Sequence, residues 1–294
     1  MEKFGKSQSV LRREDDRFLT GRGQYVDDKA PQGALHGYVL RSSYAHGVIT
    51  ALDTQEAEEA NGVHLVLTAE RLQKAGLSGK MEASLVKNQD GQLASNTDRF
   101  LLAKDKVRFV GEPVAMVFAD TYGQARVAAD MIGFEVDDLP VHLALQPGGP
   151  VLHDAAPANV AFDWALGDSA QMEAVKAKAA HVLSYEISDN RVICNSMEPR
   201  GCWADIEDGR LHLCVNGQGV WSQKGQLAKM LGLPESKIRV TNPDVGGGFG
   251  MKAMAYPEYF LAAQAARMLN RPVRWMSDRS EAMLSDNGGR DLTS

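Results

Sequence analysis

The sequence has 294 residues, of which 44% are hydrophobic and 24% are charged, and its formal net charge at pH 7 is -6. Such a composition is typical of a soluble globular protein with one large domain or two ordinary ones, and the negative charge argues against a nucleic-acid-binding protein. No apolar run is long enough to span a bilayer, and the first residues lack the apolar stretch of a secretory signal. We therefore expect a cytoplasmic protein with no membrane span.

The cysteines and histidines do not form a recognisable metal-binding pattern. Cys194, Cys202 and Cys214 are not clustered as zinc or iron–sulfur ligands are, and their odd number argues against a disulfide framework. The seven histidines are scattered along the chain. We expect three small, buried thiols and no metal site made by protein side chains, so that any metal would arrive within a cofactor.

The first part of the chain predicts a small α/β domain over residues 1–138. Residues 7–28 are polar and turn-rich, and we interpret them as an extended arm. Strands are predicted at residues 34–40, 48–52, 63–68, 114–119 and 134–136. The last two strands flank a helix with one apolar face, formed by Ala125, Ala128, Ala129 and Ile132. Residues 76–100 show little periodicity and are predicted to be a long surface loop.

A proline- and glycine-rich stretch at residues 139–167 predicts a linker, and a second domain is expected over residues 168–294. Asp168 is expected to cap a helix that reaches residue 180. The remaining predicted elements are strands at 182–187 and 238–241, a half-buried strand at 211–215, a helix at 222–231, a helix at 256–269 and a strand at 273–276.

A glycine-rich run between the strand at 238–241 and the helix at 256–269 is the main candidate for a ligand site. It contains Gly246, Gly247, Gly248, Phe249 and Gly250. A main chain without Cβ atoms can bring its N–H groups against a phosphate or an oxo group. The spacing fits neither a P-loop nor a dinucleotide-binding fingerprint. The alternative is a glycine-rich turn without a ligand, although its place between a strand and a helix favours a ligand.

Several segments resemble the molybdopterin-binding large subunit of the xanthine dehydrogenase, aldehyde oxidase and aerobic carbon monoxide dehydrogenase family. The matching segments, in chain order, are residues 13–23, 40–46, 107–115, 196–200, 244–252 and 278–282. The resemblance implies an α+β fold: an N-terminal α/β hammerhead domain followed by the first part of a mixed α/β molybdopterin-binding domain. Met251 stands where xanthine dehydrogenases have glycine, which argues against a purine-oxidising enzyme.

The resemblance also implies roles for particular residues. The cofactor-binding candidates are Gln218, Gly247, Gly248, Phe249 and Gly250, with the loop lying against the molybdenum centre and its pterin. The alternative for Gln218 is a turn residue. Glu198 is the one matched carboxylate that could act as a catalytic base, but its segment also fits a structural role, in which Glu198 and Arg200 hold the loop by hydrogen bonds. Lys252, at the edge of the loop, is expected to contact solvent or phosphate.

The reaction implied is hydroxylation of an aldehyde or N-heteroaromatic carbon with water, or oxidation of carbon monoxide. The implied cofactor is molybdopterin with molybdenum, in the cytosine dinucleotide form. Iron–sulfur (2Fe-2S) and FAD groups are expected on partner subunits, because this chain carries ligands or motifs for neither. The family's large subunit is far longer, so the expected partners are a C-terminal half of the large subunit, an iron–sulfur subunit and a flavin subunit.

Two interpretations of the short chain are left open. The chain is either part of a molybdenum hydroxylase that is inactive without the missing half, or a catalytically silent fragment that acts at most as a protein-interaction module. If the missing half packs on the last helix and strand, we expect Phe260, Leu261, Val273 and Trp275 to be exposed in the chain alone.

Overall fold

The structure, a computed structural model, describes residues 11–81 and 85–294. The elements of the first half are α1 (Asp15–Leu19), β1 (Leu35–Arg41), β2 (Gly47–Asp53), α2 (Gln55–Glu59), β3 (Val63–Leu67), α3 (Ala69–Lys74), β4 (Lys80–Met81), β5 (Arg99–Phe100), β6 (Lys106–Val107), β7 (Pro113–Ala119), α4 (Tyr122–Asp130) and β8 (Gly133–Asp138). The predicted strands and the helix of this half are confirmed to within about two residues, the usual uncertainty of element ends.

The second half contributes fewer strands and the longest helix. Its elements are α5 (Ser169–Lys176), β9 (Ser188–Asp189), β10 (Gly201–Glu207), β11 (Arg210–Val215), α6 (Trp221–Leu231), β12 (Ile238–Thr241), α7 (Pro257–Leu269), β13 (Val273–Met276), α8 (Arg279–Ser285) and β14 (Leu292–Thr293). Short 3-10 helices lie at Asp27–Lys29, Glu235–Lys237 and Met251–Ala253. Residues 139–167 form neither helix nor strand.

The largest sheet joins strands from both halves of the chain. Its seven strands lie in the order β12-β11-β10-β13-β1-β7-β3. The junction is the parallel pair β1–β13, in which Leu35 lies opposite Val273. A separate three-stranded sheet, β6-β2-β8, belongs to the first half alone. The hydrogen-bonded sheet therefore crosses the boundary that the sequence predicts near residue 138.

Strand β7 lies in the interior, and all seven of its residues are buried. Met116 and Phe118 belong to the core that contains α7, whereas Ala115 and Val117 belong to a second core that contains the alanine face of α4. Successive residues of a strand point to opposite faces, so an uninterrupted apolar run suits a strand covered on both sides. The predicted apolar face of the helix after β7 is confirmed, since its four members are all buried.

Helix α7 packs across the large sheet, against β3, β7, β10, β11 and β13. Ten consecutive residues from Pro257 to Ala266 are buried. The expectation that the last helix and strand would be exposed is therefore wrong: Phe260, Leu261, Val273 and Trp275 are at most 2% exposed. The residues that cover them come from the first half of the chain as well as the second, which periodicity within one segment does not reveal.

Three local predictions are corrected by the structure. The arm is not simply extended, because α1 and the 3-10 helix Asp27–Lys29 interrupt it; its residues 7–10 lie outside the described part. Residues 182–187 form no strand. Strand β11 is buried from Leu211 to Val215 rather than half-buried, since the polar side of His212 is covered as well.

Helix α5 begins as predicted but ends early. The Asp168 carboxylate accepts a hydrogen bond from the N–H of Gln171 at 2.9 Å, which satisfies one of the free N–H groups of the first turn. The helix stops at Lys176 and has no buried residue. Among the described residues, no helix is long and apolar enough to cross a membrane.

Candidate functional site

The glycine-rich loop leaves the end of β12 and reaches α7 through the 3-10 helix Met251–Ala253. Three of its residues have positive φ: Gly247 (99°), Phe249 (53°) and Gly250 (83°). The left-handed conformation is unusual for an aromatic residue, and such strain is often found at functional sites. The Phe249 side chain is 70% exposed, so it is not held there by burial of its ring.

Three glycines of the loop lie against other groups of the chain. A Cβ atom on Gly246 would lie 2.5 Å from the Cβ of Glu198, and one on Gly248 would lie 2.6 Å from the Cδ of Gln218. A Cβ on Gly247 would meet the Phe249 ring at 2.8 Å. Gly250 differs, because a Cβ there would meet nothing within 4 Å. The open side of the loop is therefore at Phe249 and Gly250.

Glu198 is hydrogen-bonded to the loop and to the N-terminal arm through its two carboxylate oxygens. Oε2 accepts hydrogen bonds from the N–H of Gly246 at 2.8 Å and from the Nζ of Lys252 at 3.2 Å. Oε1 accepts from the N–H of Val26 at 3.4 Å, and the Glu198 N–H donates to the Gly246 carbonyl at 3.1 Å. Of the two roles weighed for Glu198, these contacts favour the structural one.

Lys252 does not lie at the solvent-facing edge of the loop. Its side chain is 0% exposed, and burial lowers its pKa while the neighbouring Glu198 carboxylate opposes that shift. The expectation that it contacts solvent or phosphate is therefore wrong. An ammonium group without water needs an ionic partner, and Glu198 is that partner.

Gln218 lies beside the loop, as the resemblance requires. Its backbone N–H donates to the Lys252 carbonyl at 3.1 Å, and its exposed side chain covers Gly248. The Asn242 amide Nδ2 donates to the Gly217 carbonyl at 2.6 Å, while its Oδ1 is buried and has no partner among the described residues. The five cofactor-binding candidates are therefore adjacent in the fold.

The arm at the start of the chain fixes the other side of the loop, a contact that sequence reasoning missed. The Asp244 carboxylate accepts from Nε of Arg17 at 3.1 Å and from the N–H of Gln24 at 2.8 Å. The hydrogen bonds from Arg17 and then Gln24 lower the pKa of Asp244. Arg17 lies in the segment at residues 13–23 that resembles the family, but nothing in the sequence indicates which residue it contacts.

A buried ionic network supports the segment that carries Glu198. Arg200 is 0% exposed, donates to Oε2 of Glu258 at 2.9 Å, pairs with Asp286 and stacks over the Tyr256 ring at 3.7 Å. Arg41 pairs with Oε1 of the same glutamate at 2.6 Å. Burial by itself would raise the pKa of Glu258, but the two arginines lower it to about 2.

This network also reaches the loop directly. The Tyr256 hydroxyl donates to the Met251 carbonyl at 3.0 Å, immediately after Gly250. Since Tyr256 is fully buried against Arg200, the position of the loop depends on the packing of α7. The segment at residues 196–200 is thus connected to the loop by Glu198 at one point and by the Arg200 network at another.

No group of three or more His, Cys, Asp or Glu side chains that could hold a metal ion occurs within residues 11–81 and 85–294. Cys202 and Cys214 are buried, and burial raises the pKa of the Cys214 thiol to about 11, so this thiol stays protonated at neutral pH. An open groove of about 1360 Å³ lies between the linker and α8, but none of the predicted site residues line it.

Comparison with known proteins accounts for nearly the whole chain. Residues 20–140 match the aldehyde oxidase and xanthine dehydrogenase a/b hammerhead domain, and residues 152–294 match the molybdopterin cofactor-binding domain. The chain belongs to this family of molybdenum oxidoreductases. The α+β fold, a hammerhead domain followed by molybdopterin-binding sequence, is confirmed.

Relatives of known activity agree with this assignment. The chain is 40% identical to the nicotine 6-hydroxylase large subunit of Paenarthrobacter nicotinovorans, over 94% of this chain and 34% of the relative. It is 34% identical to the carbon monoxide dehydrogenase large chain of Hydrogenophaga pseudoflava, over 98% of this chain and 37% of the relative. Quinoline 2-oxidoreductase from Pseudomonas putida 86 superposes with a TM-score of 0.84 at 34% identity, over 97% of this chain and 36% of that one.

The chain therefore spans about a third of the length of the family members it matches. The structure itself fits a molybdopterin group at the glycine-rich loop. Gly250 has space beside its Cα and a positive φ. Gln218 can offer an amide donor and an acceptor there.

Proposed function

We propose that this chain forms the first third of a molybdenum hydroxylase large subunit and contributes the loop from Gly246 to Gly250 to the cofactor site. The observation that carries the proposal is the open, positive-φ glycine at Gly250 next to an exposed aromatic ring at Phe249. The Cβ positions of Gly246, Gly247 and Gly248 face groups of the same chain, whereas Phe249 and Gly250 are the exposed residues of the run. A ligand can therefore approach the backbone at these two residues.

The cofactor, when bound, supplies a metal that activates water and accepts electrons from the substrate. The chain's own residues hold and shield that group. The loop's glycine backbone lets N–H groups approach anionic or oxo atoms, and the Phe249 ring provides an apolar wall that excludes water. The Gln218 carboxamide can donate one hydrogen bond and accept another. Glu198 acts as a positioning residue, because its carboxylate pairs with the buried Lys252 and accepts the N–H of Gly246.

We propose the cytosine dinucleotide form of molybdopterin as the cofactor, with 2Fe-2S and FAD groups on partner subunits. The partners are the remaining part of the large subunit, an iron–sulfur subunit and a flavin subunit, in the cytoplasm. Support comes from the names of relatives: one is a large chain, and another, 34% identical, is subunit gamma of the 6-hydroxypseudooxynicotine dehydrogenase complex of Paenarthrobacter nicotinovorans.

The proposed reaction is hydroxylation, with water, of an aldehyde or N-heteroaromatic carbon, or oxidation of carbon monoxide. Nicotine 6-hydroxylase and quinoline 2-oxidoreductase, at 40% and 34% identity, support the N-heteroaromatic class. We expect the chain alone to be inactive, because the pterin would be exposed to water on the side that the rest of the large subunit covers. If this polypeptide alone contained molybdenum and were active, that expectation would be wrong. The proposal that the chain needs partner polypeptides would be wrong as well.

The test of the loop's role uses the assembly purified from its native host. Gly250→Val is compared with Gly76→Val, since Gly76 also has a positive φ, 81°, with nothing within 4 Å of its Cβ position. Both changes carry the same backbone strain, so both should lower the thermal midpoint to a similar extent. Molybdenum content and turnover should fall about tenfold or more only for Gly250→Val. Equal molybdenum content in the two variants would show that the run is only a turn.

A further inference from the structure

Residues 182–187 have the pattern of a strand without the structure of one. Leu183, Tyr185 and Ile187 alternate with Ser184 and Glu186. The three apolar side chains are 77%, 76% and 60% exposed, respectively. Alternation of this kind normally places one face of a strand against a core.

The backbone beside these side chains is also unpaired. Residues 181–186 make no backbone hydrogen bond to any residue that the structure describes. Pairing begins only at Ile187, whose N–H donates to the Ser294 carbonyl at 2.8 Å, while the Ser294 N–H donates to the Ile187 carbonyl at 3.0 Å. Ile187 and Ser294 are therefore a hydrogen-bonded pair of an antiparallel ladder that includes β9 and β14.

Helix α5, just before this segment, also has apolar side chains that no described residue covers. It has eight residues, none of them buried, and Met172 and Val175 are 57% and 60% exposed. An isolated helix of that length is not stable in water without packing of an apolar face. Helix α5 and residues 182–187 thus both present apolar side chains that no described residue covers.

We propose that residues 181–186 form a β-strand by antiparallel pairing with a strand from the rest of the large subunit, along the line that β14 already follows. The inference rests on the proposed function for the identity of the partner, because the relatives extend about two thirds beyond the matched region. Backbone hydrogen bonds between the two strands provide the affinity. Burial of the apolar face formed by Leu183 and Tyr185 determines the pairing register. The same partner covers the apolar residues of α5.

The register of the ladder predicts which N–H groups the partner uses. Hydrogen-bonded pairs recur at every second residue of an antiparallel ladder, so from Ile187 the next are at Tyr185 and Leu183. The N–H groups of Glu186 and Ser184 point to the opposite edge. Proline has no N–H, so Tyr185→Pro removes a donor to the partner and Glu186→Pro, the matched control, does not.

The test co-expresses the 294-residue chain with the part of the Paenarthrobacter nicotinovorans nicotine 6-hydroxylase large subunit that follows the matched region. We expect the two polypeptides to co-purify and the amides of Leu183 and Tyr185 to exchange with deuterium at least about tenfold more slowly in the complex than in the chain alone. Tyr185→Pro should reduce the recovered complex about tenfold, the effect of losing one backbone hydrogen bond and its packing, and Glu186→Pro should leave it near wild type. Unchanged thermal midpoints of the free variants show that both fold.

Failure to co-purify, unprotected amides at residues 181–186 in the complex, or equal effects of the two prolines would each overturn the strand pairing. Molybdenum content, measured on the same complex, separates this inference from the proposed function. A complex that contains molybdenum but has unprotected amides at these residues contradicts only the strand pairing. A paired strand in a complex that never acquires molybdenum contradicts only the proposed function.

Discussion

Glu198 is bound to the glycine-rich loop through its carboxylate. Its two oxygens accept hydrogen bonds from Gly246 and Val26 and pair with the buried ammonium of Lys252. A general base needs a lone pair free to accept the substrate's proton. A carboxylate that is already the partner of a buried cation instead determines where the neighbouring backbone lies.

The first prediction concerns removal of this carboxylate. Glu198→Ala would leave Lys252 buried without its ionic partner and the Gly246 N–H without its acceptor. We expect the free energy of unfolding to fall by about 3 kcal/mol, the usual cost of breaking a buried pair by removing one member. Denaturant titration of the purified chain measures this change.

Glu198→Gln is the matched variant, because it keeps an acceptor for the Gly246 N–H and loses only the charge. It should be less destabilising than Glu198→Ala. An alanine variant as stable as the wild type would show that the carboxylate does not hold the loop. Glutamine and alanine variants of equal stability would show that the hydrogen bond to Gly246 contributes nothing.

At the residue scale, the resemblance selected residues that the fold places together, but the sequence did not show their contacts. Gln218 lies against Gly248, and its contact with a cofactor stays a prediction. The reason for glycine at Gly246 lies in the side chain of Glu198, 48 positions away, and local sequence cannot show such a contact. Lys252 was placed in solvent for the same reason, since its partner comes from another segment.

At the scale of elements, α7 was predicted correctly in extent and incorrectly in environment. Its apolar spacing indicates a helix, but a helix that is apolar on most sides fits either a missing partner or the centre of a domain. The structure shows the second case, because strands from both halves surround it. Glu258, 1% exposed within this helix, is accommodated there only by the two arginines Arg41 and Arg200.

The second prediction is a pH dependence that arises from Glu258. Its folded pKa, about 2, lies below the ordinary value of 4.5, so its contribution to stability is present above pH 4.5 and is lost as the pH falls towards 2. The full contribution is about 3 kcal/mol, on the order of 1.4 kcal/mol for each unit of pKa shift. Wild type and Glu258→Gln should therefore differ most near neutral pH.

The measurement is denaturant unfolding of both proteins between pH 6 and pH 3. The stability difference should shrink over the lower half of that range, because the unfolded wild-type chain takes up a proton at Glu258 below pH 4.5 while the folded carboxylate stays ionised down to about pH 2. A difference that stays constant from pH 6 to pH 3 would contradict the depressed pKa of Glu258. Carboxylates outside this network titrate alike in both proteins, so their effects cancel in the comparison, whereas Glu281 and Asp286 share Arg41 and Arg200 with Glu258 and titrate together with it.

At the scale of the whole molecule, the seven-stranded sheet contains strands from both sides of the proline- and glycine-rich stretch that predicts a domain boundary. The proline- and glycine-rich stretch at residues 139–167 correctly indicated irregular chain, and the domain limits 1–138 and 168–294 stay a prediction. Strand pairing between distant segments depends on their three-dimensional arrangement, so periodicity could not reveal the β1–β13 pair. The shared core on α7 adds a second connection between the halves.

The third prediction is that the chain unfolds in one cooperative transition. A shared sheet and core mean that neither half can unfold without exposing apolar surface of the other. Leu35→Ala, at the β1–β13 junction, should lower the single calorimetric midpoint, because removing a buried leucine side chain costs about 2–5 kcal/mol. Leu166→Ala, at an 86% exposed leucine of the linker, is the control and should have almost no effect.

Two well-separated calorimetric transitions would contradict this prediction and favour independent domains. So would a Leu35→Ala variant that lowers one of two transitions and leaves the other unchanged. Since Leu35 belongs to the first half and pairs with Val273 in the second, the variant tests the junction directly.

The position of β13 between β1 and β10 also determines when the seven-stranded sheet can form during synthesis of the chain. Strand β1 ends at Arg41, but its parallel neighbour ends at Met276. A ribosome that adds about 5–20 residues per second needs roughly 10–50 s to make the intervening chain. Throughout that time one edge of β1 has unpaired peptide groups that can join strands of other nascent chains. Slower translation or a lack of chaperones should therefore increase aggregation before it affects the finished protein.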